Sequence, residues 1–134
     1  MESFEEIEHT ADRAFRVTGH DMAELLQNGA RAMQALDGPP PAGEPSATQA
    51  IQVEGVDRES LLVNWLNEIL YLEQVHRVVC DRFHIDELQN HRLRARVETR
   101  HCNRNSTHIK AVTFHNLQIR EIPQGLEAEV VLDV

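Results

Sequence analysis

Apolar residues recur along this chain with two different periods, and the changes of period divide it into elements. Between Ala14 and Thr18, apolar Phe15 and Val17 alternate with Arg16 and Thr18, the spacing of a half-buried strand, and Gly19 ends the run. The next segment opens with Asp21 and Glu24 at capping-box spacing. It then places Met22, Leu25, Leu26, Ala30, Met33 and Leu36 at helical intervals. This amphipathic helix stops before Gly38-Pro39-Pro40-Pro41, and the stretch from Gly38 to Thr48 is expected to be an exposed loop. Ile51 and Val53 mark a second strand. Asp57 can cap a second helix, whose Leu61, Leu62, Trp65, Leu66, Ile69 and Leu70 form a wide apolar stripe expected to bury the only tryptophan.

Beyond that helix the period falls to two. Val79, Phe83 and Ile85 form one set, and Leu93, Ala95 and Val97 alternate with Arg92, Arg94, Arg96 and Glu98. Further strands are expected at Ile109 to Phe114, Leu117 to Ile122 and Leu126 to Val134. In the last of these, Leu126, Ala128, Val130 and Leu132 share one face, while Glu127, Glu129 and Asp133 point to the other. Two amphipathic helices among about seven strands, most joined by short turns, predict an α+β domain built on a largely antiparallel sheet.

Length and composition narrow the function classes. The 134 residues suit a single domain, 1–134, able to bury a core without disulfide staples. Only Cys80 and Cys102 occur, with no CxxC pair, and no apolar stretch resembles a leader or a membrane span, so a reducing cytoplasm is the expected compartment. The 13 basic and 22 acidic residues give a net charge of -9, which opposes diffuse binding to nucleic-acid phosphates. Aromatics at 4% supply few base-stacking platforms. No GxGxxG or P-loop run is present to cradle a nucleotide.

The candidate chemistry lies at the two extremes of the chain. Asp12 follows His9-Thr10-Ala11, and Asp133 precedes Val134, whose main-chain carboxylate adds another hard oxygen donor. If the fold brings them together, their mutual repulsion is relieved by protons or by a divalent cation such as calcium. By spacing alone, the plainer reading is that Asp12 caps a turn and Asp133 is solvated. His101, Cys102 and His108 are the densest grouping of zinc-type ligands, but their spacing fits no common zinc pattern. Neither cysteine sits in a catalytic signature, and buried or inert thiols are expected. Arg92, Arg94 and Arg96 line one face of a strand; they can grip an oxyanion or an acidic partner, although a solvated row paired with glutamates is the favoured reading. Lys110 reads as an outward lysine near the middle of its strand. A hydrolase using Asp12 and Asp133 lacks any accompanying base, nucleophile or oxyanion stabiliser.

Taken together, four segments resemble the archease family in order and along nearly the whole chain. They are His9-Thr10-Ala11-Asp12, Trp65-Leu66-Asn67-Glu68-Ile69-Leu70-Tyr71-Leu72, Lys110-Ala111-Val112-Thr113-Phe114-His115 and Val130-Val131-Leu132-Asp133-Val134. The resemblance implies a non-catalytic helper of the GTP-dependent tRNA-splicing RNA ligase, promoting its guanylylation and multiple turnover. It places the metal ligands, for calcium or a similar divalent ion, at Asp12, Asp133 and Val134. Lys110, Arg94 and Arg96 become the expected partner-binding residues, and RNA is met only through the ligase. A chaperone-like modulator of another RNA-processing enzyme, such as a tRNA methyltransferase, is the alternative. The chain departs from the family pattern at Gln74-Val75-His76, where an acidic stretch is usual, at Phe114 in place of tyrosine, and at Asn116 in place of glycine. Asparagine tolerates a left-handed turn, so the last exchange need not disturb the fold.

Overall fold

The computed structural model describes residues 3–7, 13–38, 47–101 and 109–134, and in them the two predicted helices are α1 (Met22–Asp37) and α2 (Arg58–His76). Asp21 starts α1 by accepting the Glu24 N–H at 2.9 Å; the Glu24 carboxylate turns instead to the His20 N–H at 3.2 Å. Asp57 starts α2 with a reciprocal cap: it accepts the Ser60 N–H at 2.7 Å, and Ser60 Oγ accepts the Asp57 N–H at 3.1 Å. Gly38, at φ 105°, ends α1, and Arg77, at φ 52°, ends α2 in the left-handed region.

Eight strands accompany the helices: β1 (Phe4–Ile7), β2 (Arg13–Gly19), β3 (Ala47–Glu54), β4 (Val78–Gln89), β5 (Arg92–His101), β6 (Ala111–Thr113), β7 (Ile119–Ile122) and β8 (Gly125–Asp133). The α+β expectation holds, with three differences. The strand absent from the sequence reading is β1, whose two central residues are exposed glutamates on a four-residue edge, leaving no alternation to detect. β3 begins at Ala47, inside the stretch expected as loop, and residues 39–46 lie outside the described residues. The strands also form two antiparallel sheets rather than one. The first has the order β1-β2-β8-β6 with β7 also on β8, and the second has the order β3-β5-β4.

The reason for two sheets lies in α2. Its buried residues Leu61, Leu62, Val63, Trp65, Leu66, Ile69, Leu70 and Leu72 include a consecutive run, and at about 100° per residue such a run covers most of the helix circumference. A helix buried over more than half of its circumference must be covered on more than one side, while Asn64, Tyr71, Gln74 and Val75 stay exposed on the remaining face. Accordingly α2 packs on β3 and β4 of one sheet and on β6 of the other, while α1 meets β2 and β8 of one and β4 of the other. Trp65 ties these layers together. Its ring is fully buried, its Nε1–H donates to the Leu26 carbonyl of α1 at 2.8 Å, and it meets Phe83 of β4 edge to face at 6.2 Å.

One half-buried carboxyl stands apart from the apolar core. Glu73, near the end of α2, accepts the Cys80 N–H at 3.0 Å, and its pKa is pushed up from 4.5 to about 7 by burial, with the nearby Asp37 adding to the shift.

Two outcomes follow from this packing. Trp65→Ala is expected to cost about 3–5 kcal/mol in denaturant unfolding, because it empties a filled site and removes the bond from the indole N–H to the Leu26 carbonyl. For Glu73 the sign is set by a folded pKa above the unfolded one. The carboxyl does not oppose folding below about pH 4.5, and stability is lost as pH rises toward 7 and beyond, where the buried group must ionise. Glu73→Gln is therefore expected to raise stability at pH 8 by on the order of 2 kcal/mol and to change little at pH 4.5, read from melts across that range.

Candidate functional site at the end of β8

β8 runs through the middle of the larger sheet, with β2 on one side and β7 then β6 on the other. Its last pairs are Arg13↔Leu132 and Ala14↔Val131 toward β2, and Ala111↔Asp133 and Val112↔Leu132 toward β6. The end of β8 is thus held on both sides. The Asp133 carbonyl accepts the Lys110 N–H at 2.7 Å, and the Val131 carbonyl accepts the Thr113 hydroxyl at 3.2 Å. The Asp133 side chain is exposed, as alternation predicts, and Val134 is 40% exposed. Lys110 is also exposed, and no ion pair to it or to Asp133 is present among the described residues.

Asp12 lies outside the described residues, as do His9, Cys102 and His108. Arg13, which follows Asp12 in the chain, is firmly placed. Its Nε and Nη2 donate to both oxygens of Glu6 at 2.9 and 3.1 Å, and its Nη1 donates to the Leu36 carbonyl at 2.7 Å. That last bond serves the end of α1, whose final turn carries no basic residue. The guanidinium in turn holds the Glu6 carboxyl below its ordinary range.

The donor chemistry suits a hard divalent cation. The Asp133 carboxylate, exposed and without an ion pair among the described residues, is an oxygen ligand, and its companions in the expected set are oxygen ligands as well. Among the described residues no group of three His, Cys, Asp or Glu converges on one point. Cys80 is a buried free thiol, and burial followed by the Glu73 charge pushes its pKa far up, so it carries no thiolate at neutral pH.

Arg94 and Arg96 belong elsewhere. They lie on β5 in the smaller sheet, exposed on the face opposite buried Leu93, Ala95 and Val97. Each meets a carboxylate: Arg94 pairs with Glu87, Arg96 binds Asp86 through Nε at 2.8 Å and Nη2 at 2.9 Å, and Arg92 pairs with Glu54 at 3.3 Å. Two register shifts in β4, between Cys80 and Arg82 and between Ile85 and Glu87, each leave one aspartate out of the ladder. Those aspartates, Asp81 and Asp86, are the ones that take Arg100 and Arg96. The arginine row is an ion-paired face, as the sequence favoured, and it is on a different sheet from Asp133.

Sequence reasoning overlooked the surroundings of Asp133. Ala14 and Val131 are paired with each other on the face that Asp133 shares, yet both are buried. The signal was the double apolar pair Val130-Val131, which breaks strict alternation. Asn116 does adopt a left-handed conformation, at φ 51°. Phe114 is 57% exposed.

This arrangement, two helices against two antiparallel sheets with an acidic strand end at one edge, defines a class of small α+β proteins. The chain belongs to the archease family: the model described as "Archease protein family (MTH1598/TM1083)" matches residues 4–134. Protein archease of Methanopyrus kandleri is 36% identical over 138 residues, covering 98% of this chain and 99% of that protein. Protein archease of Methanosarcina acetivorans is 33% identical over 141 residues, covering 98% and 95%. The solution structure of Methanobacterium thermoautotrophicum protein 1598 superposes with a TM-score of 0.78 at 28% identity over all of both chains. The Thermotoga maritima crystal structure titled "an archease, possible chaperone" shares the fold, with a TM-score of 0.66 at 23% identity, covering 96% and 94%.

Because the arginine row is exposed and paired, Arg94→Ala and Arg96→Ala are each expected to change stability by no more than about 1 kcal/mol in chemical denaturation. A larger loss would show that the row supports the fold beyond its surface ion pairs.

Proposed function

We propose that this archease is a non-catalytic, cytoplasmic protein cofactor of the GTP-dependent tRNA-splicing RNA ligase, acting in guanylylation and multiple turnover through the acidic end of β8. The observation that carries the reading is the placement of Asp133: its backbone is braced by Lys110 and β6, while its carboxylate is exposed and has no ion pair among the described residues. Family membership supports a role exerted on a partner protein.

In this reading Asp12, Asp133 and the main-chain carboxylate of Val134 hold a divalent ion such as calcium. A bound cation there would neutralise charge where phosphates crowd together. Three carboxylates do not fill the six to eight positions calcium prefers, so water or groups of the ligase complete the shell. Lys110, at the same edge, offers an ammonium to a carboxylate or phosphate of the complex. With a net charge of -9, the protein meets RNA through the ligase rather than by itself. Arg94 and Arg96 can contribute to docking only by exchanging their present carboxylate partners for those of the ligase.

The Thermotoga maritima archease, described as a possible chaperone, suggests a second reading, a chaperone-like modulator of another RNA-processing enzyme such as a tRNA methyltransferase. The two readings separate on which enzyme responds to the purified protein.

Asp133→Ala and Asp12→Ala are expected to keep a melting temperature within a few degrees of the parent and to lose calcium binding in calorimetry, with ligase guanylylation falling by at least about tenfold. Residues added after Val134 replace a carboxylate with a neutral peptide carbonyl and should be nearly as damaging. Undiminished stimulation by both aspartate variants would refute the site.

A further inference from the structure

β6 has three residues and, among the described residues, only β8 beside it, with Ala111, Val112 and Thr113 facing Asp133, Leu132 and Val131. So short a strand is marginal on one ladder, and its outer edge would leave backbone groups without partners. The buried helix α2 supplies them. Asn67 Nδ2 donates to the Val112 carbonyl at 3.2 Å, and its Oδ1 accepts the Val112 N–H at 2.8 Å. A carboxamide here does what a neighbouring strand would do. Two turns later Gln74 Nε2 donates to the Ile109 carbonyl at 3.3 Å, and at the start of the helix the Glu59 carboxylate accepts the Ile119 N–H at 3.0 Å. From Asn67 to Gln74 the helix rises about 10 Å, and from Val112 back to Ile109 an extended chain covers about the same length. Helix and strand are held in step along that length, not at one point.

We infer that Asn67 is a positioning residue: by pairing with both backbone groups of Val112, it fixes β6 against the end of β8 and sets where Lys110 and Asp133 are presented to a partner. The inference rests on the reading that this edge is the working site. Its chemistry is specific to a carboxamide of this length. Leucine would fill the space and leave Val112 with an unpaired donor and acceptor, while aspartate would keep the acceptor and lose the donor. An asparagine serving only solubility would make neither bond.

The test uses the full isotope-labelled chain, with Asn67→Leu and Asn67→Asp compared against Asn64→Leu. Asn64 is the control because it makes a similar bond, to the Glu54 carbonyl at 2.9 Å, away from β6. In Asn67→Leu the Val112 amide should exchange at least about tenfold faster relative to Leu66 and Ile69, the Lys110 and Asp133 backbone resonances should move, and calcium affinity should fall about tenfold. Asn64→Leu should leave all three as in the parent. Should Asn67→Leu fail to fold, Asn67→Asp carries the test, with a shift of the Val112 carbonyl resonance expected. Unchanged Val112 and Asp133 signals in the Asn67 variant that folds, or equal changes in Asn64→Leu, would overturn the inference. A parent protein whose Asp133 and Val134 amides ignore calcium would sink the metal reading instead, leaving exchange and resonance positions to decide the role of Asn67.

Discussion

The structure depends on the burial of α2 on more than one side. A helix with Leu61, Leu62 and Val63 all buried cannot rest on a single sheet, so the chain closes a second sheet over it, and Trp65 locks the arrangement by bonding to Leu26 of α1. Enclosure has a second consequence. Half-buried polar side chains on such a helix need partners, and Glu59 and Asn67 find them in the backbone of β7 and β6, with the exposed Gln74 adding a bond to Ile109. The element that organises the core therefore also covers an edge of the larger sheet.

Charge is distributed by a comparable logic. The outer faces carry cross-strand pairs: Arg16 with Glu5 and Glu129, Arg120 with Glu127, and the β5 arginines with carboxylates of β3 and β4. Such exposed pairs contribute little each, but they use up the cations of those faces. Lys110 and Asp133 have no such pairing among the described residues, and they meet at one edge. The excess of acid over base leaves the protein better suited to a partner's metal, ammonium or guanidinium groups than to bare RNA.

How far the fold could be read from the sequence depended on whether a residue's role was local. The caps at Asp21 and Asp57, the breaks at Gly38 and Gly19, the burial of Trp65 and the outward turn of Asp133 all follow from spacing within one element. β1 was lost because its pairing with β2, not its composition, makes it a strand. The division into two sheets was hidden because strand partners are set by long-range packing, and the β4 bulges at Asp81 and Asp86 because they appear only against β5. At the candidate site, Asp133 was legible as a polar residue on an apolar strand, whereas Lys110, expected near the middle of its strand, lies just before β6. Asn67 was visible only as a letter in a motif, since its partner Val112 lies 45 residues away.

On the proposed reading, the acidic edge meets a requirement of any binding carboxylate: its backbone is held by bonds that do not use the carboxylate itself. Leu132 is paired on both sides, with Arg13 and with Val112, so the residue before Asp133 is gripped by two strands. Arg13 is anchored in turn to Glu6 and to the end of α1, and Val112 to α2 through Asn67. Both helices thus reach the last turnless stretch of β8 through side chains rather than through the sheet alone. The entropy of fixing Asp133 is met by these contacts during folding, which leaves less to lose when a ligand arrives. An exposed carboxylate on a frayed strand would lack that advantage, and the clamp on β6 is what separates the two situations.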